Sequence, residues 1–73
     1  MDEIDLSLPS KFIDASVKMN FDEAYRLVKL MAKQHHRSLE QEFLTLKYAA
    51  SALSNTERVA VLLMIRDIRE YEA

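Results

Sequence analysis

Apolar residues occupy every second position between Ile13 and Phe21, and polar residues fill the positions between them. A period of two is typical of a β-strand with one buried face. The pattern therefore predicts a strand over residues 15–20, whose apolar side would hold Val17 and Met19. Residues 4–9 also alternate and end in Leu8-Pro9, so they are a competing strand. If residues 4–9 formed the strand, too many residues would remain before Ser38 for one short helix. We therefore prefer residues 15–20 as the strand and interpret residues 1–14 as an N-terminal arm.

From Asp22 the apolar period becomes three to four residues, which is typical of an amphipathic helix. This first helix is predicted to run to about Gln34. Ser38 and Gln41 form the pattern of a capping box, which predicts a second helix over residues 39–53. A similar start after Ser54 predicts a third helix over residues 56–72, with an apolar stripe broad enough to contact two partners.

A single strand cannot satisfy its backbone hydrogen bonds alone, so it needs a second strand from elsewhere. A second copy related by a two-fold axis would supply it and produce an antiparallel two-stranded ribbon in an obligate homodimer. Such a ribbon fits the major groove of DNA, where lysine, asparagine and serine side chains can contact bases. The ribbon would present Ser16, Lys18 and Asn20. These three residues could equally be the solvated face of an edge strand.

The start of the second helix offers exposed backbone N–H groups, which suit a phosphate. The residues at this predicted phosphate site are Arg37, Ser38 and Leu39. Together with the ribbon, they would form the DNA-binding surface of the protein.

Residues 16–53 resemble the ribbon-helix-helix DNA-binding domain of the Arc and MetJ repressors and of many bacterial antitoxins. The similarity lies in the alternating strand, in Tyr25 and Val28 on the first helix, and in the Arg37-Ser38-Leu39 step followed by Glu42 and Phe43. His36 stands where the family has its turn glycine, a residue that tolerates positive φ.

The resemblance implies a mostly α-helical fold with one short β-strand: an intertwined homodimer with a two-stranded antiparallel ribbon, plus an extra C-terminal helix. Its parts would be an arm over residues 1–14, the ribbon-helix-helix domain over residues 15–53, and a C-terminal helix over residues 54–73.

Composition excludes several classes of chemistry. The 73 residues include no cysteine and no glycine, so disulfides, cysteine-ligated zinc and glycine-rich phosphate loops are absent. The adjacent His35 and His36 point in different directions on a helix and have no further ligand at metal-binding spacing. We expect no catalysis, no metal and no cofactor. The acidic N-terminus and an apolar run of at most seven residues predict a cytoplasmic protein without a membrane partner.

The resemblance implies a transcriptional repressor that binds a palindromic operator. The predicted function is a type II toxin-antitoxin antitoxin that represses its own operon and neutralises a toxin. The C-terminal helix would bind the toxin or pack on its own dimer, through Val59, Leu62, Leu63, Ile65 and Ile68. The alternative is a small helical module that binds or inhibits a protein without contacting DNA. The net charge of −2 favours this alternative, and separation of Lys18 from Arg37 would favour it further.

Overall fold

A computed structural model describes residues 4–73 and contains four α-helices in that range. Their bounds are α1 Leu8–Val17, α2 Phe21–Gln34, α3 Leu39–Ala50 and α4 Asn55–Glu72. The helices α2, α3 and α4 confirm the three predicted helices to within a few residues at their ends. The first helix, α1, is absent from the sequence-based prediction.

The predicted ribbon is wrong, because residues 15–20 form the end of α1 and the turn that follows it. No β-strand occurs within residues 4–73, so the ribbon-helix-helix fold and its intertwined dimer are wrong as well. The buried positions of this segment follow a helical period: Leu8, Phe12, Ala15 and Ser16 face the core, whereas Val17 and Met19 are exposed. Pro9 occupies the first turn of α1, where its missing N–H costs nothing.

The helix α1 includes half of the segment that was predicted to be an N-terminal arm, residues 1–14. Residues 8–14 belong to a packed helix, and residues 1–3 lie outside the described part of the chain. Phe12 has no accessible surface at all, which makes this segment part of the core and not an appendage.

The four helices share one hydrophobic core. Both α2 and α4 contact all three other helices, whereas α1 and α3 lie on different sides of them. The largest fully buried apolar side chains come from every helix: Phe12, Leu27, Val28, Met31, Phe43, Val61, Ile65 and Ile68. A single chain therefore encloses its core without a strand from a second copy.

Two turns connect the first three helices, and both contain a non-glycine residue with positive φ. Met19 has φ 58° and His36 has φ 55°. In the first turn the N–H of Asn20 donates to the Ala15 carbonyl at 2.8 Å, and in the second the N–H of Arg37 donates to the Ala32 carbonyl at 2.9 Å. A second bond accompanies each of these, from the Met19 N–H to the Ser16 carbonyl at 3.0 Å and from the His36 N–H to the Lys33 carbonyl at 3.2 Å. The two bonds in each turn define a Schellman motif at the end of α1 and again at the end of α2.

Candidate docking surface

The three residues predicted to contact bases have structural roles at the end of α1. Ser16 is buried, and its Oγ donates to the Phe12 carbonyl oxygen at 2.8 Å. Lys18 forms an ion pair with Asp14 at 2.9 Å. Asn20 caps α2, since its Oδ1 accepts from the Glu23 N–H at 3.3 Å. These residues do not form a common face for DNA.

The predicted phosphate site lies at the other end of α2. Arg37 Nη1 donates to Thr45 Oγ1 at 2.8 Å, and Ser38 forms a complete capping box with Gln41. Leu39 is partly buried and packs against the core. Lys18 precedes the 14-residue α2 and Arg37 follows it, so they are separated by about 20 Å along the helix. The structure does not bring the two halves of the predicted DNA-binding surface together.

A buried carboxylate fastens the α2–α3 turn. Glu42 is 1% exposed, and its Oε1 lies 2.9 Å from His35 Nδ1. The guanidinium of Arg37 is 4.0 Å from its other oxygen. A carboxyl group that is shielded from water needs polar partners, and His35 and Arg37 supply them on its two oxygens. The three side chains hold α2 against α3, and sequence patterning gave no signal for the burial of Glu42.

The five residues predicted to bind a partner on α4 divide into two groups. Ile65 and Ile68 belong to the core. Val59, Leu62 and Leu63 are exposed to 46%, 38% and 46%. Val59 and Leu63, four residues apart, lie on one face of α4 beside α1, whereas Leu62 lines a different groove with Glu40 and Lys47 of α3. Their role in binding stays a prediction, and only these three are available for it.

The exposed face of α4 continues onto the end of α1. Val17, Met19, Val59 and Leu63 line one groove of about 370 Å³ between the two elements. Met19 is 84% exposed, although it is apolar and its backbone is left-handed. We define the docking surface as Val17, Met19, Val59 and Leu63. Sequence patterning missed the exposed roles of Val17 and Met19 because it placed them on the buried side of a strand.

Two arginines of α4 near the docking surface form ion pairs within the chain. Arg66 lies 3.3 Å from Asp67, and Arg69 lies 3.1 Å from Glu40 on α3. Surface ion pairs of this kind contribute little to stability. Arg66 and Asp67 both line the groove and compensate each other's charge, so the docking surface has an apolar centre.

An aromatic cluster holds the C-terminal end of α4 against α2. The ring of Tyr71 is 5.6 Å from Phe21 and 5.4 Å from Tyr25, with edge-to-face geometry. The Tyr25 hydroxyl donates to Glu72, and this hydrogen bond raises the pKa of Tyr25 to about 12. Lys29 Nζ lies 4.2 Å from the centre of the Tyr25 ring. These contacts hold α4 in place beneath the docking surface.

Comparisons with protein-family models, with curated proteins and with solved structures find no match to this chain. None of the four helices is both long enough and apolar enough to cross a lipid bilayer. Within residues 4–73, no three His, Asp or Glu side chains are grouped as a metal site would require.

Proposed function

We propose that this protein is a small helical protein-interaction module that acts by binding and not by catalysis. The observation that carries the proposal is the docking surface, where four exposed apolar side chains from α1, its turn and α4 line one groove. Contiguous exposed apolar side chains mark interaction sites more often than isolated ones do. The exposed apolar position of Met19 strengthens the inference, since methionine adapts to varied partners.

One part of the antitoxin hypothesis is retained in this proposal, namely partner binding through the exposed residues Val59 and Leu63 of α4. Operator binding and autoregulation stay predictions without the ribbon on which they depended. The separation of Lys18 and Arg37 across α2, together with the net charge of −2, favours a protein partner over DNA.

Photo-crosslinking in the cells that produce the protein tests this proposal. A photoreactive amino acid replaces Leu63 or Val59 on the docking surface, or Leu44 as a control that is exposed on α3. We expect one shared covalent adduct from positions 59 and 63, and no such adduct from position 44.

The partner in that adduct is then identified by mass spectrometry, purified, and titrated with the protein in a calorimeter. Leu63→Glu should weaken binding at least about tenfold, because it places a charge in an apolar contact. Leu44→Glu should bind like the unmodified protein. If positions 59 and 63 yield no adduct beyond that of position 44, the docking surface does not bind a protein and the proposal is wrong.

A further inference from the structure

We propose that Met19 is an oxidation site, and that its conversion to the sulfoxide by a peroxide weakens binding at the docking surface. The inference rests on the proposed function, because the modification changes the same groove that the interaction module would use. The oxidation itself depends only on where one side chain lies, so it is measured without any partner.

The described methionines differ sharply in their access to an oxidant. Met19 is 84% exposed, whereas Met31 is 0% and Met64 is 5% exposed. A buried thioether meets peroxide only when the surrounding structure opens, and core positions open rarely. Peroxide should therefore modify Met19 in the folded chain and spare the two methionines of the core.

The backbone of the turn after α1 holds Met19 at the surface. Met19 has φ 58°, and its N–H donates to the Ser16 carbonyl at 3.0 Å. The next N–H, from Asn20, donates to the Ala15 carbonyl at 2.8 Å. These bonds fix the backbone from which the side chain projects, between two packed helices. The exposure of the thioether is therefore a property of the folded turn.

The composition of the chain makes methionine its main target for mild oxidation. The 73 residues include no cysteine and no tryptophan. A cysteine thiolate would compete for peroxide and would form sulfenic acid or disulfides. Because no thiol is present, oxidation of the folded chain at position 19 gives a sulfoxide without these competing products.

The reaction transfers one oxygen atom to sulfur. A lone pair of Met19 Sδ attacks one oxygen of hydrogen peroxide, the O–O bond breaks, and a proton moves to the departing oxygen, which leaves as water. Sulfur is oxidised and the peroxide is reduced. The product has a polar S–O group in place of an apolar thioether, and methionine sulfoxide reductases reverse the change.

The sulfoxide would alter the groove more than the fold. Met19 shares a groove of about 370 Å³ with Val17, Val59 and Leu63. A partner that covers this groove would bury the S–O group among apolar side chains, and burial of a polar group without a hydrogen bond is unfavourable. Folding leaves the Met19 side chain mostly in water, so its oxidation should change stability little. The expected effect is a loss of affinity by a chain that stays folded.

Peptide mapping by mass spectrometry tests the modification on the purified full chain. The chain is treated with hydrogen peroxide, quenched, and digested after lysine and arginine, which places each methionine in a separate peptide. Met19 should oxidise at least about tenfold faster than Met31 and Met64. In denaturant the three rates should converge, because the fold causes the difference. Equal rates in the folded chain would overturn the oxidation site.

Calorimetric titration tests the effect on binding, with the partner identified by photo-crosslinking and with peroxide removed beforehand. The oxidised chain should bind at least about tenfold more weakly than the untreated chain. Met19→Leu removes the sulfur and keeps an apolar side chain, so its affinity should be the same before and after peroxide. Met31→Leu is the matched control and should lose affinity on oxidation, as the unmodified chain does. Met1 is present in both variants, so its oxidation does not account for a difference between them.

Circular dichroism of the oxidised chain distinguishes weaker binding from unfolding. We expect the helical spectrum of the untreated chain, because the sulfur of Met19 lies outside the core. Loss of that spectrum when Met19 alone is oxidised would show that the chain unfolds and would contradict the proposal.

The outcomes separate this inference from the proposed function. An oxidised chain that binds its partner with unchanged affinity overturns the effect of Met19 oxidation and leaves the interaction module intact. Oxidation of Met19 no faster than that of the buried methionines has the same consequence. If positions 59 and 63 yield no adduct beyond that of position 44, the proposed function is wrong, and the inference is wrong with it.

Discussion

The α1–α2 turn and the α2–α3 turn end their helices with the same pair of backbone hydrogen bonds, but their side chains are used differently. In both turns a non-glycine residue is left-handed, Met19 in the first and His36 in the second. Histidine tolerates this conformation better than methionine does, and an exposed imidazole is compatible with water. The first turn instead exposes an apolar side chain in a costly backbone conformation.

The second turn also has more stabilising contacts around it than the first turn has. The second turn has a complete capping box at Ser38 and a buried carboxylate, Glu42, beside His35. The first turn has one capping bond from Asn20, and its exposed apolar residue borders the docking surface. The comparison indicates that the second turn is built for stability, whereas the first combines a helix connection with an exposed residue of the proposed docking surface.

The largest expected effect tests whether the first turn joins two packed helices. Phe12→Ala should lower the free energy of unfolding by about 3–5 kcal/mol, because it leaves a cavity beneath α1. Chemical denaturation followed by circular dichroism measures the change. Should that variant fail to fold, Phe12→Leu should still cost about 1 kcal/mol. Leu6→Ala is the control, since Leu6 is exposed in the segment before α1. Equal stability of the Phe12 and Leu6 variants would show that this segment is a loose arm.

A medium effect distinguishes the helix caps of the two turns. Ser38→Ala should cost about 1–2 kcal/mol, and Asn20→Ala about 0.5–1 kcal/mol. The difference arises because Ser38 and Gln41 satisfy each other's backbone N–H groups, whereas Asn20 has no reciprocal partner. Denaturant midpoints at equal slope measure both values. Ser10→Ala, at an exposed position of α1, is the control and should be neutral. A larger loss for Asn20→Ala would reverse our ranking of the two turns.

The smallest expected effect is a gain in stability at the two left-handed residues. Met19→Gly should raise the free energy of unfolding by about 1 kcal/mol, and His36→Gly by about 0.5 kcal/mol, because glycine relieves the steric cost of positive φ. Chemical denaturation followed by circular dichroism measures both changes. Met19→Ala keeps a Cβ at this position and should show no gain. Destabilisation by Met19→Gly would mean that the side chain packs within its own chain.

Much of the helical architecture could be predicted from local signals. The capping pattern of Ser38 and Gln41 located the start of α3, and the period of three to four located α2 and α4. The strand predicted within residues 13–21 was wrong, because a short alternation of apolar and polar residues is also compatible with part of a helix and a turn. Pro9 and the helical spacing of Leu8, Phe12 and Ala15 were the signals that could have identified α1.

The docking surface was only partly predictable. The broad apolar stripe of α4 indicated a partner, but the sequence did not distinguish Val59, Leu62 and Leu63, which are exposed, from Ile65 and Ile68, which are buried. That division depends on where α1, α2 and α3 pack around α4. Met19 joined the exposed group only because the turn after α1 points its side chain into solvent.

The sequence by itself determined which segments form α2, α3 and α4 and excluded several kinds of chemistry, since caps, periodicity and composition act locally or on the whole chain. The tertiary structure decided that residues 15–20 end a helix, that Glu42 is buried beside His35, and which face of α4 stays open. These features depend on contacts between residues far apart in the chain. An apolar residue is buried or exposed according to the neighbours that cover it, and no local pattern contains that information.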